Sequence, residues 1–452
     1  MIRARGPKRG GGDVVEDAVQ VRVGQPHGTA SGTATGTVRS HRPLARPGPG
    51  AAGPRPSRAP GVFGPPRGSV CVSAAPLRSR FPILEEETYL ASHSLGAVPA
   101  SAKEALEGYH EAWARQGIGA WEGPWAEAIA TFNEQIAGIL GAPEGTVAPM
   151  LNATRGMAGV ASALDPSQGR DKIVMTDLEF TTSYPLWRGF EELGAEIEVV
   201  ESPDGVRVPA EAIADAVDES TLLVHTCQVY FRSGALQQLE PVVEAAREAG
   251  AYSLVDGYQS VGVVPVDVAE LGVDFFVGGS HKWLCGGPGA GYLYVREDVA
   301  EELDPRLRGW FGLADPFAYE QLEGRGPPAE GARRFLGGTP NVPGLVAARE
   351  GLEAIREVGL DRIRQRSLDL TDRILVHADA QDLTVRTPRE EDRRGGMVCL
   401  DFEGAEQATD ELAEQGIVVD WRPDCGIRVS PHFYNTEDEI DELFGALARI
   451  RG

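Results

Sequence analysis

Short, uniformly apolar runs alternate with helix-like stretches through the middle of this chain. DKIVMTD, EIEVV, TLLVHT, AYSLVDG and DFFVGG are too short for helices and are bounded by turn residues, so they read as strands. Between several of them lie segments such as PVVEAAREAG, whose apolar positions recur at helical spacing. Strands that alternate with helices and lack polar positions predict an α/β unit with a mostly parallel sheet covered on both faces. Ligands of such sheets bind at the carboxyl ends of the strands. Upstream, TYLASHSLGAVP is a short apolar stretch followed by turn residues, and SAKEALEGYHEAWARQ reads as a capped amphipathic helix. Beyond about residue 335 the pattern changes to two helices, VPGLVAAREGLEAIREVG and DRIRQRSLDLTDRILVHA, then MVCLDF, a helix, IVVDW, GIRVS and a closing helix. This predicts a second, smaller α+β unit. The expected division is 80–104 as a segment joining the small domain, 105–335 as the large domain and 336–452 as the small one.

Residues 1–79 carry neither period and are rich in Gly, Pro and Arg, so they bury too little apolar surface to offset their ordering entropy. A disordered basic extension is expected there; a stretch preceding the true start, an arm for an anionic partner and an organelle-targeting peptide are the readings of its role. The charge is divided accordingly. Residues 1–80 hold 13 Lys/Arg against 3 Asp/Glu, leaving 30 against 64 in the rest of a chain whose net charge is -24. A body that acidic repels nucleic-acid phosphates and has no basic stripe to overcome this. The five cysteines, Cys71, Cys227, Cys285, Cys399 and Cys425, have no metal-ligand spacing. The expectation is a reducing, cytoplasmic setting with no metal, and without an apolar run of membrane-spanning length no membrane partner.

The chemistry concentrates in LVDGYQSVGVVPVDVAELGVDFFVGGSHKWLCGGPGAGYLYV, residues 254–295. Lys282 follows a strand-like run and precedes a Gly-rich turn, which is how a strand-end lysine reaches a carbonyl cofactor. In a partly desolvated, cationic pocket its amine can exist neutral, condense with a carbonyl and later carry a proton. Asp256 closes the strand AYSLVD. GGPGAG precedes a strand instead of leading from one into a helix, so it is not a dinucleotide-binding loop. A phosphate needs backbone N–H groups at a helix start, and LNATRGMAGVASAL offers Ala153 and Thr154. Taken singly, these residues have ordinary explanations: a solvated lysine, a capping aspartate, a core phenylalanine, a surface ion pair.

The 254–295 segment resembles the cofactor-lysine region of class V aminotransferases, which include cysteine desulfurases, isopenicillin-epimerase-like proteins and kynureninases. The resemblance implies a fold-type-I enzyme with a seven-stranded type of sheet, a homodimer with sites at the interface, an amino-acid substrate, and pyridoxal 5'-phosphate held covalently by Lys282. Asp256 would pair with the protonated pyridine nitrogen and keep the ring an electron sink. Gln259 would donate to the phenolic oxygen, His281 would touch the phosphate, Phe180 in DLEFTTSYP would stack on the ring, and Arg428 in CGIRVSPHFYN would grip the α-carboxylate with its planar fork.

Further segments resemble kynureninases: YLASHSLGAVP, RGWFGLADPFAYE, RFLGGTPNVPGL and the double glycine of CGGPGAG. They imply Ser94 at the substrate, Trp310 against the phosphate or substrate ring, Thr339 at the phosphate across a dimer interface, and hydrolytic Cβ–Cγ cleavage of a kynurenine-like amino acid. Four positions depart from that pattern. His281 replaces a Tyr, Gln259 a His, Ser183 an Asp among the cofactor contacts, and Leu313 a His. His281 remains a competent acid or base for a relay to the substrate carbonyl. An aminotransferase or β-lyase is the alternative within the same cofactor class. A desulfurase needs a nucleophilic cysteine well before the arginine, and Cys425 lies only three residues before Arg428. From another class, the alternative is a non-catalytic, cofactor-free homologue.

Overall fold

A computed structural model describes residues 75–319 and 324–452. The predicted N-terminal extension lies outside the described residues except at its end, where Ala75–Arg78 forms one helical turn. Arg78 Nη2 there donates to Glu439 Oε1 at 2.9 Å.

All five apolar runs are strands. With two more they build a seven-stranded sheet: β1 (Val147–Met150), β2 (Lys172–Thr176), β3 (Glu196–Val200), β4 (Thr221–Cys227), β5 (Tyr252–Asp256), β6 (Phe275–Gly279) and β7 (Gly291–Val295). Their order is β1-β7-β6-β5-β4-β2-β3. β6, β5, β4, β2 and β3 pair in parallel, and β7 runs antiparallel to both of its neighbours. Every residue of β2 and β4 to β7 is buried, as unalternating apolar runs require, whereas the edge strand β3 is only partly covered and alternates charge with apolar residues. β1 is not legible as a strand because Pro149 interrupts it, and such a strand is tolerated at a sheet edge.

The helices include α1 (Ser101–Gln116), α2 (Pro124–Leu140), α3 (Ala153–Ala161), α4 (Ser183–Arg188), α5 (Glu240–Ala249), α6 (Val342–Val358), α7 (Leu360–Ala380) and α8 (Glu437–Arg451). α1 lacks the side-chain cap expected of it: Ala100 is its N-cap, and Ser101 is the first helical residue. Among the described residues no helix is long and apolar enough to cross a membrane.

A four-stranded antiparallel sheet forms beyond residue 380, from β8 (Thr384–Val385), β9 (Val398–Asp401), β10 (Asp420–Arg422) and β11 (Gly426–Val429), in the order β10-β11-β9-β8. Its core, with Leu370, Ile374, Leu400, Ile427 and Phe444, is distinct from those flanking the large sheet. The run IVVDW divides. Ile417–Val418 pairs in parallel with Thr88–Tyr89, whereas Asp420–Arg422 enters the antiparallel sheet beside β11. The N-terminal segment is thereby fastened to the small sheet, again through Ala91 and Ser430, before it turns toward the large one. There Gly96 N–H donates to His281 O at 2.8 Å. A Cβ on Gly96 would stand 2.0 Å from Lys282 O, so only glycine admits this approach.

Candidate active site

The carboxyl ends of β4, β5 and β6 meet the N-terminus of α3 around a cavity of about 250 Å³. Asp256 and Cys227 are the last residues of their strands, and Lys282 follows β6 by three residues. Asn152 caps α3 by accepting from Arg155 N at 3.0 Å, and Ala153 and Thr154 open the helix, where first-turn N–H groups have no intrahelical partner. Thr154 Oγ1 lies 2.8 Å from Thr182 Oγ1 on the next loop. The wall thus presents the polar helix start that an anion needs.

Lys282 is half-buried. Its Nζ lies 4.5 Å from the Tyr258 ring centroid and 5.4 Å from that of Phe180. Burial lowers its amine to about 8, against the attraction of Asp256, and Arg428 adds to the lowering. The expected result in the cofactor-free protein is that acylation of Lys282 by an amine-selective reagent, followed by peptide mass spectrometry, rises with pH through about 8. A midpoint near that of exposed lysines would show that the pocket does not desolvate it.

Asp256 is buried, and its Oδ1 accepts the Tyr258 backbone N–H at 2.8 Å. Burial raises its pKa while that bond and Lys282 oppose the rise. A desolvated carboxyl with so little neutralisation from the chain suits a cationic ring nitrogen. Together with the helix start and the lysine, it gives the cavity the donor set that pyridoxal phosphate requires.

Gln259 lines the cavity, but its amide is also structural: Nε2 donates to His93 O at 3.1 Å, and Oε1 accepts from Trp283 Nε1 at 3.2 Å. Phe180 is 43% exposed and meets Phe231 edge-on at 5.2 Å, leaving ring surface at the cavity rather than in the core. His281 also lines the cavity. Burial lowers its imidazole to about 4, with Lys282 adding to the effect, so it is neutral at physiological pH.

A second cavity of about 450 Å³ shares Phe180, Phe231, Gln259, His281 and Lys282 with the first and adds His93, Ser94, Arg232, Arg422 and Arg428. Arg428 is 4% exposed. Its Nε and Nη2 each donate to Asp420 at 2.7 Å, and Nη1 donates to Phe231 O at 2.9 Å. The guanidinium is therefore oriented by an acid of its own sheet, and its remaining donors serve the cavity. Burial pushes the Asp420 carboxyl up, but hydrogen bonds from His93 and Arg428 outweigh it and hold the group well below the usual carboxylate range. His93 Nε2 is 2.9 Å from Asp420 Oδ1, and its Nδ1 is 2.5 Å from Ser430 Oγ.

Three expected site residues stand elsewhere. Ser183 is fully buried beneath the cavity, with Oγ 2.8 Å from His225 Nε2. Next to it Glu179, which burial raises to about 8, accepts from Thr176 Oγ1 at 2.7 Å. Trp310 packs with Phe311 at 4.4 Å and Phe317 at 5.6 Å. Thr339 lines a separate cavity of about 730 Å³ with Leu151, Arg155 and Asn341. Neither lines the cavities at Lys282. Sequence reasoning did not single out Tyr258, Phe231, Asp420, His93, Glu179 or His225. Tyr258 alone had a local signal, lying between Asp256 and Gln259. Among the described residues no group of His, Cys, Asp and Glu could hold a metal ion.

Comparison with known proteins agrees with this geometry. An uncharacterized aminotransferase, YcbU, of Bacillus subtilis is 30% identical over 373 residues, 81% of this chain and 96% of the relative. A kynureninase of Pseudomonas fluorescens is 28% identical over 394 residues, 84% of this chain and 92% of that protein. Among solved structures, an apo cysteine desulfurase from Thermococcus onnurineus NA1 superimposes with a TM-score of 0.75 at 24% identity, covering 83% of this chain and 97% of that one. The cystine C–S lyase C-DES, in complex with its product cysteine persulfide, gives 0.73 at 23% identity, covering 81% and 99%. These likenesses place the fold in type I, with its mostly parallel large sheet and small antiparallel one. The profile of the family Aminotransferase class-V matches residues 88–443, and the chain belongs to that family of pyridoxal-phosphate-dependent enzymes.

Proposed function

We propose that the protein hydrolyses the Cβ–Cγ bond of a kynurenine-type amino acid, releasing alanine and an aromatic carboxylic acid. The observation that carries this reading is the second cavity: it opens from Lys282, is walled by Phe180 and Phe231, and has the neutral imidazole of His281 on its surface. An aryl ketone side chain suits such a wall, and relatives named kynureninase match over most of the chain. Bound pyridoxal phosphate supplies the electron sink. The chain's residues do the rest. Arg428 and Ser94 hold the α-carboxylate end, the Lys282 amine takes the α-proton at Nζ, and His281 donates to the distal carbonyl oxygen as water adds to that carbon. The same reading takes the working unit as a homodimer in which Trp310 and Thr339 complete the partner's site, in keeping with their distance from the chain's own cavity.

Transamination is the second reading. It is favoured by the 30% identity to an aminotransferase and by the withdrawal of Ser183 from the cavity, where a kynureninase-like contact was expected. The deciding experiment is incubation of the protein, reconstituted with pyridoxal phosphate, with L-kynurenine and 3-hydroxykynurenine, followed by absorbance and mass spectrometry. Alanine with an anthranilate is the expected outcome. Cofactor bound without cleavage, and amino groups passed to an added 2-oxo acid, would replace hydrolysis by transamination.

A further inference from the structure

Tyr258 touches three of the groups on which the site depends. Its backbone N–H donates to Asp256 Oδ1 at 2.8 Å, its ring lies under the Lys282 amine at 4.5 Å, and its hydroxyl is 2.7 Å from His281 Nδ1. The space for that hydroxyl is built in, since a Cβ on Gly279 would stand 2.1 Å from Tyr258 Oη. We propose that Tyr258 is a positioning residue that fixes the tautomer of His281, keeping the imidazole proton on Nε2 as a hydrogen-bond donor to the cavity.

The argument is an inventory of protons. A phenol has one hydrogen, and burial pushes the Tyr258 hydroxyl well above its ordinary pKa, so the hydrogen stays on oxygen. Among the described residues Nδ1 of His281 is its only hydrogen-bond partner. The imidazole is neutral and also carries one N–H. Were that hydrogen on Nδ1, it would face the hydroxyl oxygen and the phenolic hydrogen would have no acceptor within the chain. With the phenol donating to Nδ1, both groups are satisfied, and the second ring nitrogen must carry the proton. His281 thus works at Nε2 as a donor, not as a base, toward an oxygen of the cofactor or of the substrate. The choice between those two acceptors rests on the proposed function; the tautomer does not.

The test is two-bond proton–nitrogen NMR on protein labelled at histidine nitrogen, with and without pyridoxal phosphate, the His281 signals being those lost in His281→Asn. The expected wild-type pattern is the Nε2–H tautomer from about pH 6 to about pH 8. Tyr258→Phe keeps the ring and the backbone N–H, and its His281 should pass to a mixture of tautomers. An Nδ1–H pattern in the wild type, or an unchanged pattern in Tyr258→Phe, overturns the proposal. A double-mutant cycle locates the acceptor. Tyr258→Phe is expected to weaken cofactor binding about 5-fold in the wild-type background and not in His281→Asn if the acceptor belongs to the cofactor. If instead the coupling appears only in kcat, with whichever amino acid the incubation above shows to be turned over, the acceptor is the substrate's. Additive effects in both measurements overturn the role, and matching thermal melts show that each variant is folded.

Discussion

Lys282→Ala abolishes turnover on any amino acid, by at least roughly 10²–10⁴-fold, the range expected from losing a positioned acid–base group alone. Among the described residues the variant also loses the only lysine that lines the cavity and, on the reading proposed above, the covalent hold on the cofactor. The fold should survive. The Lys282 amine faces the rings of Tyr258 and Phe180 and is already destabilised as a cation by burial, so removing it relieves a desolvated charge. The measurement pairs steady-state turnover with the absorbance of the cofactor-loaded protein and a thermal melt. An active Lys282→Ala variant would sink the assignment, whereas an inactive variant with a lowered melt would show that the lysine has a structural role not visible in its contacts.

Asp420→Ala is expected to cost more stability than any change on the cavity wall. It strips the fork of Arg428, whose side chain is 5% exposed, of two hydrogen bonds and leaves the guanidinium buried without a counter-charge. Breaking a buried pair in this way costs about 3–5 kcal/mol, to be read as a lowered midpoint in urea at constant slope. Asp420→Asn keeps one acceptor oxygen and should lose less. Both variants should raise the amino-acid KM more than they lower kcat, because a disoriented Arg428 weakens ground-state and transition-state binding together. The pH dependence has a definite sign. Asp420 is held below its unfolded pKa, so the pair's contribution is complete above the ordinary carboxylate range and is lost as pH falls through and below it. The difference between wild type and Asp420→Ala should therefore shrink on acidification. A constant difference down to low pH would mean that the carboxyl does not act through its charge.

These two residues mark the boundary of what could be read in advance. Lys282 and Asp256 each close a buried strand or follow one closely, so the strand pattern that predicts the sheet also aims them at its ligand-binding edge. Ala153 and Thr154 follow the same logic through the helix start. Asp420 carries no local mark of its role. Its partners are His93, 327 residues away, and Arg428 across a hairpin, and periodicity says nothing about contacts of that range. Ser183 was misplaced for a subtler reason. It begins α4, and its hydroxyl turns inward to His225 on β4, a histidine whose only sequence trace is a polar letter in an apolar strand. Trp310 and Thr339 were expected from resemblance, Thr339 across a dimer interface, and within one chain they stand away from the cavities at Lys282.

The fastening of the N-terminal segment to the small sheet has a consequence for biosynthesis. His93 donates its backbone N–H to Ser430 Oγ, 337 residues later, and Thr88–Tyr89 pairs with a strand that begins at Ile417. A chain emerging from its amino end can form the large sheet, with Lys282 and Asp256 in place, while the early segment still waits for its partners. Contacts of such sequence separation close late, because loop entropy must be overcome before they contribute. The lysine edge of the pocket can therefore form during synthesis, but its arginine edge only when the last strands arrive. A nascent chain stalled before Asp420 would carry the nucleophilic amine without the clamp that governs what may approach it.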